Sequence, residues 1–537
     1  MSEKQAPFAD SIPSDTNEPI ECLKQGDLEQ AKSVEVSSSH DMLPLSQLIL
    51  VFVSLALAVI LAVLDRTIVA TALPKIASDF GAFDQSTWVA TAYMLTATAC
   101  QPLYGKFSDI FGCKPTFLTA IIIFEIGSAL SGASQSMTML IVARAIGGIG
   151  GGGVQGMIFI IISKIIPIRE RGKYQGILSA IVAFSSVLGP LLGGVFTDDT
   201  TWRWAFYVNL PIGVVTIIVV YFFLHLPIKQ SSLLEKIKRI DFIGTLLLLG
   251  FIITLLLPTQ WGGSTYPWNS PEIISLYCVS GALLIAFIVV EYRFAAEPIV
   301  PCRLFSMRTP LFSFISVFFY GMFFFGLIYY IPLYYQIVRG DSAITSGLEL
   351  LPMVLAVSCF SIVTGIMISK TGYIVIWCWI GAAIMTVGAG LLTMFDINTS
   401  TSQQIGFLLI VGAGAGGCPQ TLTLSGQAAV ARKDVSVVTA LSTFSRSIGG
   451  VLGVAIFGSL FNNQVARGLE NLPFHVPLKG ASEGFQFINS FPLNERGEVI
   501  DVYVHVLQTV FMVAVGMSGA AFLFSLGVKL VKIEKTK

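Results

Sequence analysis

Apolar stretches of about 20 residues, the length of helix that crosses a bilayer's hydrocarbon core, recur along nearly all of this chain. They fall at about 47–73, 86–104, 116–134, 137–163, 176–196 and 206–226. A further set lies at about 241–258, 272–292, 310–336, 346–369, 373–394, 404–425, 436–460 and 505–528. Lipid offers the backbone no hydrogen-bond partners, so runs of this length and number can cross it only as helices. The expected fold is an all-α integral membrane protein with 14 transmembrane helices. Only 12% of the residues are charged, about half the share usual in soluble domains.

The loops supply a second, independent signal. With the amino terminus in the cytosol, inward loops and the carboxyl tail hold twenty Lys and Arg, against six in the outward loops. That asymmetry follows the positive-inside rule and places both termini in the cytosol. Residues 1–45 carry nine acids against three lysines and no long apolar run. Such a segment reads as a disordered tail and is not a cleaved signal peptide. A net charge of zero provides no field to attract nucleic acid. The eight cysteines show no metal-ligand spacing, so neither disulfides nor a metal is expected.

The chain also repeats itself. Gly105-Lys106-Phe107-Ser108-Asp109-Ile110-Phe111-Gly112 is echoed by Gly365-Ile366-Met367-Ile368-Ser369-Lys370-Thr371-Gly372, at an offset of 260. Gly147 to Gly150 with Gln155 is answered by Gly412 to Ala415 with Gln420, and Gly189 and Gly193 by Gly449 and Gly453. The expected organisation is a tail over 1–45, a six-helix bundle over 46–226, a linker with two additional helices over 227–309, a second six-helix bundle over 310–530, and a tail over 531–537. Parallel repeats around a site near the bilayer midplane describe an alternating-access carrier.

Few charges lie inside the spans, and each costs at least ~2.5–3.5 kcal/mol to place there. Asp65, in the first span, is a candidate proton-coupling group, since burial raises a carboxylate's pKa and a nearby cation lowers it. The alternative is a fixed ion pair with Arg66 or Arg144. Adjacent residues of a helix do not face each other, which makes Arg66 the weaker partner. Glu125 could be a second proton site or a satisfied interhelical hydrogen bonder. Arg446 faces the same choice, with the structural role favoured.

The ordered motifs resemble those of the major facilitator superfamily, specifically its fourteen-span drug:proton antiporter branch, over about residues 45–530. Leu64 to Pro74 resembles the branch's first-span motif, and Gly105 to Lys114 the superfamily loop G-x-x-x-D-x-x-G-R-K, with Cys113 in place of its arginine. Arg144 with Gly148 resembles the fourth-span arginine motif. Ser185 to Gly194 resembles the antiporter motif, with Ser185 in place of a glycine. Trp202 to Pro211, Gln260-Trp261-Gly262-Gly263, Glu297-Pro298 and Tyr334-Tyr335-Gln336 look like fungal members, toxin efflux pumps among them.

The resemblance implies a role for Arg144 in proton transfer; the alternative is a guanidinium tied to backbone carbonyls. In the gating loop, Gly105 and Gly112 permit tight turns. Asp109 can pair with a helix amino terminus, and Lys106 and Lys114 sit at the anionic inner leaflet. In the antiporter motif, Pro190 beside Gly189 bends its span, while Gly193 and Gly194 let a partner helix close against it and seal the pathway. Candidate polar groups of the substrate cavity are Gln155, Asn209, Tyr329, Tyr330, Gln336 and Gln420. Sparse charge and many Phe side chains suit a lipophilic, roughly neutral ligand.

The expectation is thus a monomeric efflux transporter that exports a lipophilic small molecule, such as a fungal metabolite, toxin or drug. It needs no cofactor, because the proton gradient supplies the energy. The resemblance implies the plasma membrane, with a vacuolar membrane as the alternative. Competing readings are a proton-coupled importer of a nutrient or siderophore-like metal chelate, and a non-transporting sensor. A membrane enzyme is disfavoured, since no catalytic set, phosphate loop or metal cluster is recognisable.

Overall fold

The computed structural model describes residues 44–82, 85–226, 232–263, 266–295, 297–473 and 492–533. The expected tails lie outside these residues, apart from 44, 45 and 531–533. Among the described residues, fourteen long helices follow one another: α1 (Leu45–Phe80), α2 (Ser86–Ile110), α3 (Cys113–Gly132), α4 (Met137–Ile165), α5 (Ile168–Asp199), α6 (Asn209–Phe223), α7 (Phe242–Trp261), α8 (Pro271–Arg293), α9 (Arg308–Tyr334), α10 (Leu351–Thr371), α11 (Val375–Leu392), α12 (Thr401–Ala428), α13 (Val435–Glu470) and α14 (Leu493–Ser525).

Among the described residues, thirteen helical stretches are long and apolar enough to cross a membrane. The fourteenth long helix, α2, spans 25 residues but is more polar. Its Thr98 and Gln101 are buried against other helices, so lipid does not meet them. Many side chains that point outward are large and apolar, such as Phe184, Phe222, Leu246 and Tyr292. A surface of this kind is matched to acyl chains rather than water.

Helices α1–α6 pack together as one bundle and α9–α14 as a second, while α7 and α8 pair and lean on α2 and α13. The repeated glycines explain the packing, because a missing Cβ lets two backbones touch. Gly148 and Gly152 of α4 meet Tyr93 and Ala97 of α2; in α12, Gly412 and Gly416, one position out of the register that matches Gly147 with Gly412, meet Met353 and Val357 of α10. Gly189 and Gly193 of α5 press on Thr67, Ile68 and Thr71 of α1, as Gly449 and Gly453 of α13 press on Phe318 and Met322 of α9. The sequence repeat is thus a repeat of contacts.

The bundles meet through α5 against α10 and α2 against α13, a pairing the repeat makes symmetric. At these seams, on the face where α1 begins and α14 ends, lie the two glycines of the echoed motif. Gly105 abuts Ala440 and Ser436 of α13, and Gly365 abuts the backbone of Gly172 and Lys173 in α5. Arg169 reinforces this face by donating to the carbonyls of Ser369 (2.7 Å), Lys370 (2.9 Å) and Ile533 (3.1 Å). Arg171 Nη1 adds a 2.8 Å bond to Gln427 Oε1.

Candidate functional site

The most deeply buried charges come together in the half of the first bundle away from that closed face. Asp65 and Arg144 are almost completely buried. Arg144 Nη1 donates to Asp65 Oδ1 at 2.9 Å and to Oδ2 at 2.7 Å. Helix geometry aims Arg66 elsewhere, so the partner comes from α4, not from the neighbouring residue. Arg144 Nε also donates to the carbonyl of Val89 (3.3 Å), and its guanidinium lies 4.3 Å from the centre of the Tyr93 ring. Asn209, at the start of α6, donates through Nδ2 to Asp65 Oδ1 and to Ser128 Oγ, each at 3.2 Å. Asn209 therefore belongs to the charge network and not to a cavity wall.

A buried, hydrogen-bonded ion pair of this kind offsets the cost of burying each ion, whereas loss of either partner strands the other. Nearby, Glu125 packs against Gly213 of α6, where any side chain would collide with the carboxylate. Both of its oxygens are buried and find no hydrogen-bond partner among the described residues. It is thus no satisfied interhelical bonder, and it feels the charge of Asp65.

Arg66 turns toward a polar cluster in the first bundle. Its Nη2 and Gln101 Nε2 both donate to Gln155 Oε1, each at 3.4 Å. Gln420 occupies a different place from its repeat counterpart Gln155. It donates to the Ser361 carbonyl at 2.7 Å and accepts from Ser361 Oγ at 3.1 Å. Ser361 Oγ in turn reaches Ser179 of α5 (3.2 Å). Gln420 is consequently part of the seam between bundles. Tyr330 is packed on Phe457 and Phe461 inside the second bundle, with ring centres 5.9 and 5.6 Å away. Gln336 lies in a π-helical turn, Tyr335–Arg339, and donates to Ser346 Oγ at 2.9 Å. Only Tyr329 of the three expected on α9 and its extension is open, at 55% exposure.

The lysines of the gating loop have partners within the protein. Lys106 Nζ pairs with Glu297 at 2.9 Å, and Glu297 also binds Arg239 at 2.6 Å. Lys114 donates to the Tyr221 carbonyl at 2.6 Å and caps the end of α6. Both ammonium groups have protein partners. Asp109 pairs with Lys164 at 3.3 Å beside the first turn of α13. Gly112 has φ +96°, a conformation that favours glycine and turns the chain into α3.

The glycines of the antiporter motif differ among themselves. Gly189 and Gly193 are pressed onto α1 within one turn or two of Asp65, whereas a Cβ on Gly194 would meet nothing within 4 Å. Their contact is inside the first bundle and does not join the two bundles. The sequence motifs did not expose Ser128 and Tyr93, because neutral side chains in an apolar span carry no distinguishing signal; Thr67 and Thr71 stood in the first-span motif, but without their contact to α5. Glu297 stood in a recognised fungal motif, but without its partner Lys106.

The chain as a whole is similar to known carriers. A family model described as the Major Facilitator Superfamily matches residues 55–454. Efflux pump aflT of Aspergillus parasiticus is 35% identical, over 91% of this chain and 97% of its own. MFS-type efflux pump MFS1 of Arthroderma benhamiae is 36% identical, over 95% and 97%. Among solved structures, the proton:xylose symporter XylE superposes with a TM-score of 0.57 at 13% identity, covering 88% of this chain and 94% of that one. That last likeness is one of fold alone. The chain belongs to the major facilitator superfamily, and it is a multi-pass membrane transporter rather than an enzyme.

Proposed function

We propose that the protein exports a lipophilic small molecule from the cytosol in exchange for protons, by alternating access. The observation that carries this reading is the buried Asp65–Arg144 pair, held by Asn209 and placed against the helix contact of α1 with α5. The names of the relatives support the direction of transport; the excess of Lys and Arg in the inward loops supports cytosolic termini, and the plasma membrane and a monomeric state belong to the same proposal.

The geometry suggests how charge would be coupled to movement. Protonating Asp65 removes the anion that holds Arg144, and α1 loses its strongest tie to α4. Thr67 and Thr71, one or two turns further along α1, are the groups on which Gly189 and Gly193 of α5 rest. The other end of α5 carries Gly172 and Gly176, which abut Gly365 and Ile362 of α10. A shift of α1 is therefore transmitted through α5 to the seam that closes one face. Glu125, unpartnered and near Asp65, can take a second proton without breaking any hydrogen bond.

The test is gradient-driven accumulation in inside-out vesicles, together with intracellular substrate in cells with and without the carrier. Wild type should lower the intracellular level, and Asp65→Asn should abolish gradient-driven transport while remaining folded at the membrane. Cells that accumulate substrate because they carry the wild type would show an importer. Transport that survives collapse of the proton gradient would remove the coupling role.

A further inference from the structure

Between α8 and α9 the chain passes along the closed face through Glu297-Pro298-Ile299-Val300-Pro301-Cys302-Arg303. Little freedom is left in this segment. Pro298 and Pro301 fix their own backbone φ angles. Glu291, in the last turn of α8 and almost completely buried, accepts from the backbone N–H of Ile299 at 3.0 Å and of Val300 at 3.4 Å. A buried carboxylate with both oxygens on backbone donors pins the middle of the segment to the α7–α8 pair.

The two ends are fastened to different bundles. At one end Glu297 pairs with Lys106 of α2 at 2.9 Å, and Arg239, just before α7, grips the same carboxylate with bonds of 2.6 and 3.1 Å. At the other end Arg303 pairs at 2.6 Å with Asp434, the residue that precedes α13. Leu304 follows it into an apolar cluster with Val437, Val438 and Leu441 of α13. Ile299 joins a separate cluster with Leu103 of α2, and Val300 packs against both. The segment therefore crosses the α2–α13 seam, at the face where Gly105 abuts Ala440 and Ser436.

Resting on the alternating-access reading above, we propose that residues 297–303 are a strap that holds this face shut, and that the Lys106–Glu297 pair is the bond released when the face opens. A strap fixed at both ends and in the middle has no slack, so parting α2 from α13 must break one attachment. On the side of the second bundle, the Arg303–Asp434 pair is backed by the burial of Leu304 and by the short covalent run into α9. Glu297 is kept on the linker by its two bonds from Arg239. Lys106 is the one charged tie between the strap and the first bundle among the described residues. The contact of Ile299 with α2 is apolar and non-directional, and it can slide. The two additional helices thus carry a latch, and Lys106 of the gating loop is its catch.

The test uses the purified full-length protein in lipid nanodiscs without added ligand, with spin labels at the exposed positions Glu170 of the first bundle and Lys433 of the second. Lys106→Gln and Glu297→Gln should each raise the ratio of long to short inter-label distances by about two- to tenfold, the range for one partly exposed charged hydrogen bond. The double variant should open the face no further than Glu297→Gln alone, because both substitutions remove the same bond. Inserting Gly-Ser-Gly-Ser between Val300 and Pro301 gives the strap slack while every charged partner remains. It should open the face to a similar degree, and it tests the strap even if a glutamine variant does not fold. Gly365→Leu, whose added side chain meets the backbone of Gly172 and Lys173, is the positive control for opening. Unchanged distances in the folded glutamine variants, additive effects in the double variant, or an insertion without effect would each overturn the strap. If Gly365→Leu opens the face and these variants do not, the strap alone fails; if none of them opens it, the alternating-access reading of this face fails as well.

Discussion

Gly365→Leu places a side chain where two backbones touch. A Cβ at this position would fall on the carbonyl of Gly172 and lie 2.6 Å from the backbone nitrogen of Lys173. Backbone atoms cannot swing aside as a flexible side chain can, so α5 and α10 must separate on the closed face. Overpacking of this kind costs about 1–3 kcal/mol. If the strain is felt only while that face is closed, the conformational equilibrium moves about 5- to 150-fold toward the state with this face open, since about 1.4 kcal/mol is a factor of ten. Spin labels at the exposed positions Glu170 and Lys370, in a background lacking the exposed Cys278 and Cys359, would read the change as a longer inter-label distance. Gly105→Leu, the repeat counterpart against Ala440 and Ser436, should act in the same direction. Gly156→Ala should not, because nothing lies within 4 Å of its added carbon. A folded Gly365→Leu protein with the wild-type distance distribution would refute the idea that this seam is the closing contact.

Gly193→Leu should abolish export by forcing α5 off Thr71 and Ile68, whereas Gly194→Ala should be tolerated, in a drug-resistance assay with matched expression. Removing one partner of the buried pair, as in Arg144→Gln, should destabilise the protein by about 3–5 kcal/mol; adding Asp65→Asn should restore part of that loss in thermal unfolding, and additive losses would count against a coupled pair. Glu297, in the linker, is held below the usual carboxylate range, chiefly by its hydrogen bond to Arg239 and then by Lys106. A depressed pKa contributes stability above the unfolded value of about 4.3 that is lost as pH falls through the lower folded value. Hydrogen exchange over 232–241 should therefore stay slow from neutral pH down to about 4.3 and accelerate only below it, and Glu297→Gln should remove that dependence.

The helices were legible because lipid permits one backbone solution and sets its length. Even α2, whose threonines and Gln101 lower its hydropathy, stands out as a run over about 86–104. The repeat was legible from glycine spacing, and the structure gives the reason: Gly189 and Gly193 press on α1 as Gly449 and Gly453 press on α9, while Gly105 and Gly365 each meet the opposite bundle. The charge pair was half legible. Asp65 and Arg144 declare themselves by their cost, and helix geometry disfavours Arg66 as partner, but nothing in the sequence nominates Asn209 and Ser128 as the shell. Cavity residues were the least legible. Helices that are apolar on every side carry no periodic signal, so Tyr330 inside the second bundle and Tyr329 outside it look alike. Gln155 and Gln420 match in the repeat yet differ in place, because Ser361 and Ser179 recruit one of them to the seam.

The most direct test of proton-coupled exchange uses proteoliposomes loaded with a pH-sensitive dye and no initial pH gradient, to which a gradient of a confirmed substrate is applied. The account predicts that substrate moving down its gradient drives protons across the membrane in the opposite direction, and that Asp65→Asn produces no pH change. Substrate flux through the wild type without any movement of protons would contradict it.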